Sequence, residues 1–122
     1  MDKLTASLED YLEAIYNLEN NNQTVKPVDI SKMFNISRAS VTEALKKLAN
    51  KGLINYGRYE ILSLTEQGLS MAQNIVSKHK ILQDFFEFEL GLSTEEASLN
   101  ACRIEHVITD NAYQRISEYI RK

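Results

Sequence analysis

Leu4, Leu8, Leu12 and Ile15 recur at a 3.6-residue period, and Tyr11 and Leu18 widen the same stripe. The spacing predicts a helix over residues 4–20 with one apolar side. Asn20, Asn21, Asn22 and Gln23 end it, because short amide side chains compete for backbone hydrogen bonds. Pro27, the only proline, stands where a short helix would begin, as suits a first-turn position. Val28, Ile30, Met33 and Phe34 supply its apolar face, and Asn35-Ile36 makes a turn. Ser37 then reads as the N-cap of a helix over Arg38–Lys51, with Val41, Leu45, Leu48 and Ala49 inside and Gly52 as the stop. Two helices joined by so short a turn predict a helix-turn-helix. Leu53–Tyr56 and Glu60–Leu64 read as strands around Gly57-Arg58-Tyr59, a hairpin that makes the unit a winged helix.

Beyond the hairpin the pattern is helical. Thr65 caps a long helix to about Phe88, whose buried side is Leu69, Ala72, Ile75, Val76, Ile81, Leu82, Phe85 and Phe86. Gly91 breaks the chain, and Ser93-Thr94-Glu95-Glu96 has the form of a capping box. Thr109-Asp110 starts a last amphipathic segment carrying Ala112, Ile116, Tyr119 and Ile120. The expected fold is mainly α: a winged helix-turn-helix over residues 1–64, then a helical region over 65–122.

The 122 residues suit one compact unit or two small ones sharing a core. No apolar run approaches the ~20 residues needed to cross a bilayer. The start, Met1-Asp2-Lys3-Leu4-Thr5, has no signal-peptide character. The single cysteine excludes an internal disulfide and fits a reducing compartment, so the expected location is cytoplasmic, away from membranes. Net charge is −3, yet residues 26–58 hold seven basic groups against Asp29 and Glu43, a local +5 in a chain that is otherwise −8. That block points to double-stranded DNA. The second helix of the pair would present Arg38, Ala39, Ser40, Thr42, Lys46 and Lys47, with Lys26 and Ser37 alongside. Small and hydroxyl groups at its start can approach base edges, and lysines one turn on can reach phosphates. Arg58 at the hairpin tip would enter a minor groove or meet a phosphate.

The stretch Ala101-Cys102-Arg103-Ile104-Glu105-His106-Val107-Ile108 carries different chemistry. On a helix, Cys102, Glu105 and His106 stand at i, i+3 and i+4 and share an arc, while Ala101, Ile104, Val107 and Ile108 pack beside them. A thiolate, a carboxylate and an imidazole together suit a divalent transition metal such as Fe, Co, Ni or Zn. Taken alone, Asp10 and Glu13 read as a solvated helix face, and His79 between Lys78 and Lys80 as a solvated histidine. Three other readings compete: a metal-dependent hydrolase with Glu13 as base, a redox-responsive winged-helix regulator sensing through Cys102, and a merely structural cysteine.

Several segments together resemble one family. Glu9–Tyr16, Val41–Leu48 followed by Lys51-Gly52-Leu53-Ile54, Leu62–Gly68, Lys78–Leu82 and Ala101–His106 are similar to the diphtheria-toxin-repressor family of metal-dependent regulators, across nearly the whole chain. The resemblance implies a winged helix followed by a helical metal-binding and dimerisation region. The family's metal positions fall on Asp10, Glu13, His79, Cys102, Glu105 and His106. The chain departs from both branches of the family. Asp10 is typical of the smaller manganese-responsive members, and Cys102 of the larger iron-responsive ones. Gln83 and Ser98 leave the larger members' outer metal site incomplete. The implied function is a repressor without enzymatic activity or a small organic substrate. A homodimer, with its surface around Ile104–Ile120, would bind a pseudo-palindromic operator when a metal co-repressor ties the two regions together. Fe(II) ranks first and Mn(II) second, with Co, Ni or Zn also able to bind in vitro.

Overall fold

The computed structural model describes residues 5–21, 23–58 and 61–121. It forms two compact units, residues 1–73 and 74–122. The architecture is the expected one, a helix-turn-helix with a small hairpin followed by a helical region. Leu4, Asn22, Tyr59 and Glu60, named in the sequence reading, lie outside the described residues.

In the first unit, α1 spans Ala6–Asn20, and Thr5 caps it by accepting a hydrogen bond from the Leu8 N–H at 3.2 Å. Leu8, Tyr11, Leu12, Ala14 and Ile15 are buried, which is the predicted stripe. Burial pushes the Tyr11 phenol above its ordinary pKa. α2 (Pro27–Phe34) has Pro27 in its first turn and ends at Asn35, whose φ of 53° is left-handed. Its apolar face is narrower than the pattern implied. Ile30 is fully buried, but Met33 is 52% exposed and Phe34 rests at the rim, edge-on to Tyr11 with ring centroids 5.3 Å apart. An eight-residue helix presents about two turns, so one central apolar residue seals it and the others lie at the margin.

α3 (Arg38–Asn50) begins at the predicted cap: Ser37 Oγ accepts from the Ser40 N–H at 3.1 Å. Val41, Ala44, Leu45 and Leu48 face the core; Ala44 joins the expected set, while Ala49 is half-buried. Gly52 turns the chain with φ +76°, where a side chain would be strained. The hairpin is shorter than predicted. β1 (Ile54–Asn55) pairs antiparallel with β2 (Ser63–Leu64), Ile54 opposite Leu64, and Val25 bridges to Leu62. Contacts from elsewhere compensate for so short a ladder. Glu19 of α1 accepts from the Leu64 N–H at 3.1 Å, and the Thr65 hydroxyl donates to Gly52 O at 2.7 Å.

α4 (Glu66–Asp84) starts at Thr65, which accepts from the Gly68 N–H, and passes from the first unit into the second. At Gly68 a Cβ would meet the Leu53 carbonyl oxygen at 1.8 Å, so the helix start sits directly on the base of the hairpin. Leu69, expected inside, is 39% exposed.

In the second unit α4 ends earlier than its apolar period implied. Phe85–Glu89 forms a π-helical turn, closed by the Leu90 N–H donating to Phe85 O at 3.2 Å. Gly91, at φ +75°, redirects the chain. α5 (Thr94–Ile104) is capped by Ser93, which accepts from the Glu96 N–H. α6 (Asp110–Ile120) is capped by Thr109. Leu82, Ala97 and Ala101 are fully buried in this unit. Phe85 meets Phe86 and Tyr119 edge-on, with centroids 5.8 and 6.2 Å away.

Candidate metal centre and nucleic-acid interface

The basic side chains of the first unit stand where the burial pattern of α3 leaves them. With Val41, Ala44, Leu45 and Leu48 inside, Arg38, Ala39, Ser40, Lys46 and Lys47 are exposed and Thr42 is half-buried. Arg58, beyond β1, is exposed as well. Lys26 is exposed at the start of α2, where its N–H donates to Asp29 Oδ2 at 3.2 Å. Ser37 is also exposed, but its hydroxyl is engaged on the cap of α3 and on Ser40 Oγ at 3.0 Å. The helix N-terminus adds its own attraction for a phosphate.

The second unit gathers a different set. His79 projects from α4, and its Nδ1 lies 3.4 Å from Glu105 Oε1. His106 Nε2 lies 3.8 Å from the same oxygen. Glu105 is only 3% exposed. Burying a carboxylate is costly unless charged or hydrogen-bonding groups surround it, and two imidazoles do so here. Nδ1 of His79 is itself buried and makes no hydrogen bond of good geometry, whereas Nε2 lies 3.5 Å from Ser98 Oγ.

These atoms fit a metal in kind, and one of the two separations fits in spacing. Nitrogen and oxygen ligands lie about 2.0–2.2 Å from a transition metal, so two of them on one ion stand roughly 3–3.6 Å apart. The His79 to Glu105 separation falls within that range and the His106 to Glu105 separation is slightly wider. Even so, among the described residues no group of three or more His, Cys, Asp or Glu side chains is disposed to hold an ion as it stands.

The structure revises the single-helix picture of the Cys102 motif. α5 ends at Ile104, and Glu105 and His106 occupy the turn that follows, with the Glu105 N–H still donating to Ala101 O. Cys102 is exposed while Glu105, one turn on, is buried. Val107, expected to pack, is 72% exposed. His79 is not the solvated histidine that its lysine neighbours suggested, since its side chain is 22% exposed and faces Glu105. Asp10 and Glu13 lie on α1 in the first unit, both half-buried; Asp10 lines a cleft of about 150 Å³ with Ser7, Tyr11, Phe34 and Ile36. Ser98, noted in the sequence only as a departure at the larger members' outer metal site, stands against His79 in the structure.

Comparison with known proteins accounts for both units. The family model for the N-terminal DNA-binding domain of iron-dependent repressors matches residues 3–62. The model for their metal-binding and dimerisation domain matches residues 65–122. An uncharacterised helix-turn-helix-type transcriptional regulator of Methanocaldococcus jannaschii is 38% identical over 98% of this chain and 96% of its own length. The regulator MntR of Geobacillus kaustophilus is 32% identical over 96% of this chain and 82% of its own. Among solved structures, a manganese-dependent transcriptional repressor in complex with manganese superposes with a TM-score of 0.84 at 27% identity, over 93% of this chain. The chain spans about half the length of such solved relatives.

Proposed function

Because the chain belongs to the iron-dependent repressor family of metal-responsive, DNA-binding transcriptional regulators, we propose that it represses transcription when Fe(II), or secondarily Mn(II), binds around Glu105. The observation that carries this reading is the convergence of His79 and His106 on one buried carboxylate oxygen. Imidazole and carboxylate donors suit Mn, Fe and Zn alike, so cellular availability selects among them. When bound, the ion supplies positive charge and fixed coordination directions. His79, Glu105 and His106 would hold it. Cys102, Asp10 and Glu13 are candidate ligands through the resemblance of their motifs.

Metal can bias DNA binding only through different affinities for the competent and incompetent arrangements. A typical coupling of ~1–3 kcal/mol would change operator affinity roughly 5–150-fold. The exposed side of α3 is the proposed reading surface, with Lys46 and Lys47 on phosphates and Arg38 to Ser40 toward base edges. A homodimer on a pseudo-palindromic operator would double that contact. Phe88, Leu90, Leu99, Val107 and Tyr119 leave the second unit with much exposed apolar surface, which suits a dimer face. The family consists of DNA-binding repressors, which leaves the hydrolase reading without support, and nothing in the relatives favours redox sensing through Cys102.

Calorimetric titration of the anaerobic protein with Fe(II), Mn(II) and Zn(II) tests the site. Wild type should bind each ion, and Glu105→Gln and His106→Ala should each lose at least the roughly 10–100-fold typical of damaged metal sites. Unchanged affinity in both variants would refute it.

A further inference from the structure

We propose that Ser98 is a positioning residue for His79, its hydroxyl holding the Nε2 edge of the ring so that Nδ1 stays turned toward Glu105. The proposal rests on the metal-regulator reading above. His79 Nε2 is 3.5 Å from Ser98 Oγ, and His79 Nδ1 is 3.4 Å from Glu105 Oε1. Both partners come from one element: Ser98 lies within α5 and Glu105 directly follows its last residue. Seven residues are close to two helical turns, so the two side chains project from one face. The imidazole of His79 thus has Ser98 beside one nitrogen and Glu105 facing the other. A hydroxyl beside Nε2 favours the ring orientation that turns Nδ1 toward Glu105.

The hydroxyl is suited to both states of the ring. A neutral imidazole carries its proton on one nitrogen and a lone pair on the other. With the proton on Nδ1, Nε2 can accept a hydrogen bond from the Ser98 hydroxyl; with it on Nε2, that edge can donate to Ser98 Oγ. An ion held by His79 and Glu105 would occupy the lone pair of Nδ1 and leave Nε2 as the N–H edge beside Ser98 Oγ. A hydroxyl can donate or accept from the same place, whereas alanine can do neither. A metal-bound histidine usually donates its other N–H to a fixed partner, and loss of such partners typically weakens metal binding about 10–100-fold. A 3.5 Å separation is at the outer edge of hydrogen bonding, so metal binding is expected to shorten it.

The test uses the whole chain, whose two histidines give only four ring-nitrogen signals. Long-range ¹H–¹⁵N spectra would be recorded metal-free and with Zn(II) for wild type, Ser98→Ala and Ser98→Thr, beside Zn(II) affinities and thermal midpoints. In wild type, Zn(II) should move the His79 Nδ1 signal and leave Nε2 protonated. Ser98→Ala should shift the metal-free His79 nitrogens, leave those of His106 in place, and weaken Zn(II) binding about tenfold. Ser98→Thr, which keeps the hydroxyl, should restore both. If Zn(II) moves both histidines in wild type but Ser98→Ala matches it in spectrum and affinity, the role of Ser98 is overturned and the metal site stands. If Zn(II) moves neither histidine in wild type, the metal reading falls and this proposal with it.

Discussion

Glu105 shows how much a single residue's surroundings decide. A carboxylate three residues from the only cysteine reads as its partner on a helix face. In the folded chain it is also buried, with an imidazole nitrogen of His79 and one of His106 near the same oxygen and Cys102 exposed one turn earlier. Spacing gives directions along an ideal helix, but α5 stops at Ile104, and burial is set by what packs against each side. His79 illustrates the same limit, since its lysine neighbours say nothing of Ser98 in α5 or of Glu105 just beyond it. A prediction follows at this scale. Cys102→Ser should retain much more metal affinity than Glu105→Gln, as titrations of the two variants with Mn(II) would register. Equal losses would place the thiolate on the ion after all.

At the scale of elements, the caps were the most legible feature. Ser37, Thr65, Ser93 and Thr109 each accept a backbone N–H where the sequence put a helix start. A cap is a local interaction within four residues, so local sequence specifies it. Thr109→Ala should therefore cost α6 about 1 kcal/mol, seen as a lower thermal midpoint. The hairpin was legible as a hairpin but not in its supports. Glu19 and Thr65 complete its hydrogen bonding from α1 and from the start of α4, contacts that no local pattern encodes. Gly68 belongs to the same junction. Gly68→Ala should destabilise the first unit by about 1–3 kcal/mol or more, because the obstacle is the backbone of Leu53 rather than a movable side chain. Urea unfolding would measure it, and wild-type stability would show that the junction can open without cost. On α3, Lys46→Ala and Lys47→Ala should weaken binding to all DNA sequences alike, each lowering the salt dependence by about one counterion.

For the whole molecule, the sequence conveyed the class of fold and the pairing of a DNA-facing unit with a metal-binding one. The reason is that both rest on long, regular apolar periods and on compact motifs. It was least informative where the chain departs from regular helix, as in the π-helical turn Phe85–Glu89, and where apolar residues stay exposed, as Phe88 and Leu90 do. A period cannot distinguish a core face from one kept for a partner, since both are apolar. The exposed set on the second unit predicts that sedimentation will find a dimer at micromolar concentration. Phe88→Glu should shift it to monomer, and a monomeric wild type would contradict that assignment.

In the proposed mechanism, metal binding at the Glu105 cluster controls DNA binding by α3. The most direct measurement is the affinity of the purified, anaerobic protein for fragments of promoter DNA, taken with chelator and with Fe(II) or Mn(II), for wild type and Glu105→Gln. Metal should strengthen binding roughly 5–150-fold in wild type and give no such gain in the variant. Equal affinity with chelator and with metal, or a full metal response in Glu105→Gln, would contradict it.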